Sequence, residues 1–273
     1  MAGEPRLMFS TLGCPGWTLE QAADTAVAIG YGGLEIRMLD GTIIPPDLDA
    51  PGRARIREVM QSRELRTIGL GLSTRFTMPD GAERERMEQD LLAYLEMARE
   101  LDVPFVRTFG GNLADGQATE DGINNVAESL NRLASAAADA GVTILLETPD
   151  AFCKGRDVAR VLDQVPSDRV MAVWDVHHPW RMGEAIEETW ACIGERTAHV
   201  HLKDAAHSDD GTFRLVLMGE GNVPNQAIVD LLESNGYEGA YSAEWEKAWH
   251  SGIEEPEVAL PQHFEVIMDW LRG

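Results

Sequence analysis

The feature that most limits what this chain can fold into is a repeated alternation of short apolar runs with longer segments of helical periodicity. Eight such pairs follow one another along the 273 residues. Alternation of this kind is typical of successive βα units arranged around a parallel sheet. The pattern therefore predicts an α/β protein built from eight repeats of one simple unit.

The order of the predicted elements is regular from end to end. The predicted strands cover residues 7–10, 34–37, 67–72, 104–109, 143–147, 170–174, 199–203 and 241–245. The predicted helices cover residues 18–29, 53–62, 83–101, 121–140, 157–164, 183–193, 225–234 and 257–271. Thr18 and Gln21 have the spacing of a capping box, which places the first helix start at Thr18.

Eight strands and eight helices favour a closed barrel over a doubly wound sheet. A doubly wound sheet usually has a glycine-rich phosphate turn after its first strand, whereas residues 11–16 here read TLGCPG. We therefore predict one (β/α)₈ TIM barrel domain over residues 1–273, since such barrels commonly run to about 250 residues. The long connections, residues 40–51, 73–82, 110–120 and 205–224, follow strands at the face where barrel active sites are built.

Composition disfavours several functional classes. The formal charge of −23 opposes binding to a nucleic acid backbone. Cys14, Cys153 and Cys192 are scattered and lack C-x-x-C spacing, so neither a disulfide framework nor a thiolate metal cluster is indicated. No run of about 18 apolar residues and no signal-peptide pattern is present. We expect a cytoplasmic protein in a reducing compartment, without a membrane partner.

Four late strands carry a possible metal ligand at or near their ends. These residues are Glu147, Asp175, His201 and Glu244. Because the ends of parallel barrel strands lie along one rim, three carboxylates and an imidazole would meet there and repel one another without a cation. The alternative is that each acid has an ordinary salt-bridge partner. The oxygen-rich set favours Mn²⁺, with Mg²⁺, Co²⁺ and Zn²⁺ as alternatives.

Cationic side chains near these ligands are the candidate substrate contacts. They are Arg107, His178, Arg181 and Lys203. Arg107 lies within an apolar strand, so we expect it to face the barrel mouth and pair with a ligand carboxylate. Arg181, in the predicted loop after strand 6, is suited to hold a carboxylate, a phosphate or a hydroxyl pair, or is a solvated loop charge. We favour His178 over His177 for the pocket.

Other aromatic and basic residues leave two interpretations open. Trp17, Trp180 and Trp245 are suited to stack on a sugar or to fill the core.

His207 and Arg214 offer positive charge in the loop after strand 7, while Trp249 and Trp270 are candidates for a homo-oligomer interface. His199 lies one layer below His201 and reads as a packed core imidazole.

The strand-end motifs resemble those of the xylose-isomerase-like barrel superfamily, which includes sugar isomerases, sugar epimerases, inosose dehydratases and abasic-site endonucleases. The motifs are Gly33-Leu34-Glu35-Ile36, Glu147-Thr148-Pro149, Trp174-Asp175-Val176-His177-His178-Pro179, His201-Leu202-Lys203-Asp204, Gly219-Glu220-Gly221 and Ser242-Ala243-Glu244-Trp245-Glu246. The resemblance covers essentially the whole chain. It implies that Glu147, Asp175, His201 and Glu244 are the metal ligands, that Glu147 and Glu244 move protons, and that Glu35 supports the site.

The implied chemistry is proton transfer next to a sugar carbonyl. A metal chelated by that carbonyl and a neighbouring hydroxyl stabilises an enediolate. Return of the proton to the same carbon gives an epimer, return to the neighbouring carbon gives an isomer, and loss of a β-hydroxyl gives a dehydrated product. The resemblance therefore implies a metal-dependent isomerase or epimerase of a small polyhydroxylated substrate. A lyase of a keto-sugar, keto-inositol or 3-keto-glycoside is the alternative.

Two further functions fit the sequence less well. An endonuclease would need more histidines and a basic groove, yet strand 3 has no histidine and strand 4 ends in Phe109-Gly110-Gly111. A non-catalytic barrel subunit would not need the complete set of four ligands. Metal content separates the second of these from an enzyme.

Overall fold

Eight parallel strands close into a barrel in the computed structural model, which describes residues 6–208 and 210–272. The barrel strands are β1 (Leu7–Ser10), β2 (Gly33–Ile36), β3 (Arg66–Arg75), β4 (Phe105–Phe109), β5 (Thr143–Glu147), β6 (Val170–Asp175), β7 (Thr197–Leu202) and β8 (Ala240–Ala243). Each strand pairs with its neighbours in sequence, and β8 pairs with β1 to close the barrel. The predicted TIM barrel is confirmed.

A helix follows each strand on the outside. The helices are α1 (Leu19–Ile29), α2 (Ala50–Gln61), α3 (Ala82–Leu101), α4 (Thr119–Ala140), α5 (Gly155–Leu162), α6 (Ile186–Ile193), α7 (Asn225–Ser234) and α8 (Pro256–Arg272). The predicted capping box of α1 is present, since Thr18 Oγ1 accepts from Gln21 N and Gln21 Oε1 accepts from Thr18 N. Gly30 ends that helix in the left-handed conformation, with φ of 112°. Of the described helices, none is long and apolar enough to cross a membrane.

The structure corrects the prediction around residues 177–193. His177–Arg181, expected to be loop, forms one helical turn, and α6 begins only at Ile186. Gly183, where the helix was expected to start, has a φ of 75° that breaks the helical path between the two segments. The long connections after β2 and β7 also contain hairpins that the sequence did not reveal, Met38–Leu39 with Thr42–Ile43 and Asp204–His207 with Phe213–Val216.

The barrel interior changes from apolar to polar along its axis. Met8, Ile68 and Ala240 form a small apolar cluster with Phe105 at the amino-terminal end, separate from the large core between strands and helices. Because side chains alternate across a strand, the next inward layers of β7 and β8 carry His201 and other polar groups. Because the apolar cluster fills the amino-terminal end of the barrel and polar side chains are buried above it, we expect a functional site at the carboxyl end.

Candidate active site

The four predicted ligands meet at the carboxyl end of the barrel. Glu147 ends β5, Asp175 ends β6, His201 lies next to the end of β7, and Glu244 directly follows β8. These strands are consecutive neighbours in the barrel. One ligand atom of each residue lies within 4.8 Å of the ligand atoms of the other three, and all four residues are buried. The positions of these residues at or near strand ends predicted that they would converge, and in the structure they do.

The donor atoms of this group fit a divalent cation. The atoms Glu147 Oε2, Asp175 Oδ2, His201 Nδ1 and Glu244 Oε2 are all buried without a hydrogen bond. The carboxylate oxygens are instead in ion-pair contact, at 3.1 Å from Arg107 Nε and 2.7 Å from Lys203 Nζ. Because buried polar atoms are normally hydrogen-bonded, these four converging atoms form a donor set that a cation would satisfy, in addition to the cationic side chains beside the three carboxylates. Three oxygens and one nitrogen suit Mn²⁺, Mg²⁺, Co²⁺ or Zn²⁺.

His201 is held in place by an acid from the other side of the barrel. Its Nε2 lies 2.7 Å from Glu35 Oε2, while Nδ1 lies 3.4 Å from Glu147 Oε1 and 3.2 Å from Glu244 Oε1. Burial lowers the pKa of His201, but Glu244 and Glu35 outweigh burial and raise it well above the ordinary value. The imidazole is thus the positive centre of a cluster of acids, a role that a cation at Nδ1 would take over.

His199 lies one layer deeper, as predicted. Its Nε2 is 3.4 Å from the same Glu35 oxygen, and its ring meets that of His201 edge to face at 5.2 Å. Burial lowers the pKa of His199. The residue is a packed imidazole below the site.

The two glutamates at the ends of the ligand group have different environments. Burial raises the pKa of Glu147, but the Arg107 guanidinium and His201 more than offset burial, and the pKa falls below the ordinary value. Burial raises the pKa of Glu244, and Glu147 adds to that effect against the opposing charges of His201 and Lys203. The surroundings therefore shift the pKa values of the two glutamates in opposite directions.

Two buried cations balance these acids. Arg107 Nε lies 3.1 Å from Glu147 Oε2, which is the predicted pairing with a ligand carboxylate. Lys203 Nζ lies 2.7 Å from both Asp175 Oδ2 and Glu244 Oε2 and also pairs with Glu246. Because Lys203 is fully buried against three acids, it compensates much of their charge within the protein.

A cavity of about 280 Å³ opens onto this group. It is lined by Leu12, Arg37, Arg107, Phe109, Glu147, Pro149, Asp150, His178, Lys203, Glu244, Glu246 and Trp249. Three of the four predicted substrate contacts are therefore at its wall. The fourth, Arg181, is absent from the lining residues in the described part of the chain; its Nη2 lies 3.4 Å from Cys153 Sγ, and its guanidinium lies over the Phe213 ring.

The structure also separates the two adjacent histidines. His178 Nε2 lies 3.3 Å from Asp175 Oδ2; burial lowers its pKa, but Asp175 raises it to about 9 overall. His177 Nε2 instead lies 2.9 Å from His207 Nε2 in the hairpin after β7, and burial lowers the pKa of His177 to about 3. His178 faces the cavity, as predicted, and His177 packs behind it.

The tryptophans divide between core and mouth. Trp245 is 1% exposed and donates to Glu254 O, which makes it a core residue and not a sugar platform. Trp17, Trp180 and Trp270 are partly buried against the core. Trp249, considered from sequence for an interface, is 52% exposed and lines the cavity.

Sequence reasoning missed several residues of the cavity wall. Arg37 follows β2, Asp150 follows β5 with a φ of 62°, and Glu246 lies two residues beyond Glu244. Burial raises the pKa of Glu246, but Lys203 outweighs it and lowers the pKa below the ordinary value. A charged residue directly after an apolar strand is the signal that could have identified Arg37.

Hydrogen bonds of Asp204 connect two of the sequence motifs, His201-Leu202-Lys203-Asp204 and Gly219-Glu220-Gly221. Asp204 accepts backbone N–H bonds from Ala205 at 2.8 Å, Gly219 at 2.9 Å, Gly221 at 3.0 Å and Val223 at 3.2 Å. A Cβ on Gly221 would lie 2.1 Å from Asp204 Oδ1. Asp204 thus anchors the glycine-containing loop directly behind Lys203.

Comparison with known proteins matches the chain to a TIM barrel family and finds sequence and structural similarity to sugar epimerases. Residues 23–272 match the family described as xylose isomerase-like TIM barrel. Fructoselysine 3-epimerase of Escherichia coli O157:H7 is 27% identical over 238 residues, which cover 83% of this chain and 85% of the relative. The crystal structure of an IolI protein with a bound zinc atom has a TM-score of 0.83 at 19% identity and covers 97% of this chain and 98% of that one. A D-tagatose 3-epimerase-like protein has a TM-score of 0.79 at 18% identity, with coverage of 98% and 97%.

Proposed function

Because this chain belongs to the xylose isomerase-like TIM barrel family, we propose that it is a divalent-metal-dependent epimerase of a ketose or a ketose derivative. The observation that carries the proposal is the convergence of Glu147, Asp175, His201 and Glu244 within 4.8 Å, with a glutamate at each end of the group. The 27% identity to a fructoselysine 3-epimerase supports epimerisation at the carbon next to a ketose carbonyl.

The four residues would hold the cation through three carboxylates and His201 Nδ1. Mn²⁺ is our first choice, and the same donor set also accepts Mg²⁺, Co²⁺ or Zn²⁺. When bound, the cation would supply Lewis acidity to a substrate carbonyl oxygen and so acidify the neighbouring C–H bond.

Glu147 and Glu244 are the proposed proton carriers. Glu147 ends β5 and Glu244 follows β8, the outermost of the four strands that lead to the ligand group, so they approach the cavity from different sides. In this proposal one carboxylate removes the proton from the carbon beside the carbonyl. The other carboxyl group returns a proton to the same carbon from the opposite face, which inverts its configuration.

Neighbouring side chains would prepare these two groups and the substrate. Arg107 holds Glu147 at 3.1 Å and favours its carboxylate form. His178 lies at the cavity wall, where it can donate to a substrate hydroxyl. Because Glu147, Glu244 and Arg107 are buried, their charge interactions are stronger than they would be at the protein surface.

The test is proton exchange in heavy water. Metal-loaded protein should incorporate deuterium beside the carbonyl of a ketose and produce its epimer. Glu147→Gln and Glu244→Gln should each lower exchange by about 10²- to 10⁴-fold, the usual contribution of a general acid or base. Glu184→Gln is the control, because Glu184 is also buried but binds Gly155 N and Thr189 Oγ1 away from the site.

Three outcomes would redirect the proposal. Full exchange after metal removal would contradict metal dependence. Undiminished exchange in the Glu147→Gln, Glu244→Gln double variant would remove both residues from proton transfer. An absorbing enone or dione product in place of an epimer would favour the lyase alternative.

A further inference from the structure

Two buried arginines lie on the half of the barrel rim that carries no proposed metal ligand. Arg37 directly follows β2 and Arg107 lies in β4, on either side of β3, whereas the ligand group is on β5 to β8. Both side chains line the cavity, with exposures of 5% for Arg37 and 4% for Arg107. A buried guanidinium is costly unless an anion compensates its charge.

Arg37 makes no ion pair with a carboxylate in residues 6–208 and 210–272. Its Nη1 donates to Gly71 O at 3.0 Å and its Nη2 donates to Ser73 Oγ at 2.9 Å, and both acceptors are neutral. Burial and the like charge of Arg107 lower the pKa of Arg37 to about 10, which still leaves it positive at neutral pH. Arg37 is therefore a charged group that faces the cavity without a carboxylate in ion-pair contact, and Glu147 and Glu35 offset its charge only from a greater distance.

Arg107 lies next to Arg37, and one of its terminal nitrogens remains able to donate hydrogen bonds to a ligand. Its Nε faces Glu147 and its Nη1 donates to Leu72 O at 3.0 Å, while Nη2 has no hydrogen bond to any residue the structure describes. Arg107 Nη2 and Arg37 Cδ each lie 3.0 Å from the position that a Cβ on Gly71 would take. The glycine in β3 thus leaves the space in which the two arginine side chains lie next to each other.

We propose that Arg37 and Arg107 together bind an anionic group of the substrate, a carboxylate or a phosphate, on the β2–β4 side of the cavity. The inference rests on the proposed function and narrows its substrate to ketoses or ketose derivatives that carry such a group. Guanidinium groups present paired N–H donors that match carboxylate and phosphate oxygens. Arg181, which the sequence suggested for this role, contacts Cys153 and Phe213 instead.

The first experiment compares three substrates on metal-loaded, full-length protein. Deuterium exchange is measured as kcat/KM for D-fructose, D-fructose 6-phosphate and a hexulosonate, so that the neutral, phosphate and carboxylate forms are distinguished. Wild type should prefer at least one anionic substrate to fructose by tenfold or more. Arg37→Gln should lower that preference at least tenfold, because it removes the unpaired charge.

Two further variants make the comparison specific. Arg37→Lys retains the charge but loses the paired donors, so the preference should fall to an intermediate value; this variant also carries the test if Arg37→Gln does not fold. Arg99→Gln is the control, because Arg99 is exposed on α3 and pairs with Glu96. Thermal unfolding of each variant shows whether it is folded. A preference for fructose in wild type, or an anionic preference unchanged in both Arg37 variants, would overturn the inference.

A separate binding measurement distinguishes failure of this inference from failure of the proposed function. If no substrate exchanges deuterium, the proposed function fails, and calorimetric titration of inorganic phosphate and acetate into wild type and the Arg37 variants decides the subsite. Binding that weakens at least tenfold in the variants would support the arginine pair as an anion site. Equal binding, or none in wild type, would overturn it.

Discussion

His201 Nε2 lies 2.7 Å from Glu35 Oε2, although the two residues are 166 positions apart in the chain. The contact orients the imidazole so that Nδ1 faces Glu147 and Glu244. Histidine ligands of metals commonly donate their second ring N–H to a carboxylate, which fixes the tautomer and the ring orientation. Glu35 is therefore placed to support the site without being one of its four central ligands.

Loss of the Glu35 carboxylate should weaken metal binding. Glu35→Gln should lower Mn²⁺ affinity by about 10- to 100-fold, the range seen when such supporting partners are removed. Calorimetric titration of the metal-free protein measures the change. Glu184→Gln, a buried acid away from the ligands, is the matched control. Equal Mn²⁺ affinity in wild type and Glu35→Gln would show that the orientation of His201 does not depend on Glu35.

Lys203 should matter most to stability when no cation is bound. Lys203→Met leaves Asp175, Glu244 and Glu246 without their shared ammonium and should cost about 3–5 kcal/mol of unfolding free energy in the presence of a chelator. Saturating Mn²⁺ should reduce that cost, because it would compensate two of the same acids. Denaturant unfolding with and without Mn²⁺ measures both values.

The control for Lys203→Met is Lys247→Met, which removes an ammonium that pairs with Glu255 outside the site. Its cost should be the same with and without Mn²⁺. A Lys203→Met cost that is equally insensitive to Mn²⁺ would contradict a cation at the ligand group.

The loop anchored by Asp204 should not tolerate a side chain at residue 221. In Gly221→Ala the new Cβ would lie 2.1 Å from Asp204 Oδ1 and 2.5 Å from Ala205 O, so the loop must shift. We expect a loss of about 1–3 kcal/mol in unfolding free energy, the usual cost of overpacking. Gly16→Ala is the control, since nothing lies within 4 Å of its Cβ position. Equal stability of the two variants would mean that the loop is not fixed by this contact.

His263 should contribute to loss of stability in acid. It is fully buried against Trp245, neither ring nitrogen has a hydrogen bond among the described residues, and burial lowers its pKa to about 3. The unfolded chain therefore binds a proton at this residue from about pH 6.5 downward while the folded chain does not, so unfolding free energy falls by up to about 1.4 kcal/mol per pH unit.

Denaturant unfolding between pH 7 and 4.5 tests this sign. His263→Leu should lose less stability over that range than wild type. His250→Gln is the opposite control, because the hydrogen bond with Glu246 raises the pKa of His250 and its protonation favours the folded state. An unchanged pH dependence in His263→Leu would exclude His263 as a source of the acid sensitivity.

Much of the site follows from local patterns in the sequence. Glu147 and Asp175 could be predicted from the sequence, because each is an acid that ends a run of apolar residues. That pattern can be recognised without any tertiary information. His178 was favoured over His177, and the structure places His178 at the cavity wall. Arg181 was chosen by its proximity to His178, but the turn His177–Arg181 is helical and directs that side chain toward Cys153.

The sequence by itself determined the barrel, the order of its strands and the four residues that converge at its carboxyl end. These features depend on periodicity and on strand ends, which are local properties, and the closed parallel barrel then brings all strand ends to one rim. Only the tertiary structure decided that Glu35 reaches His201, that Lys203 is shared by three acids and that Arg37 faces the cavity beside Arg107. Those contacts join strands far apart in sequence, and they depend on side-chain direction and neighbouring space, such as the gap at Gly71, that no local pattern records.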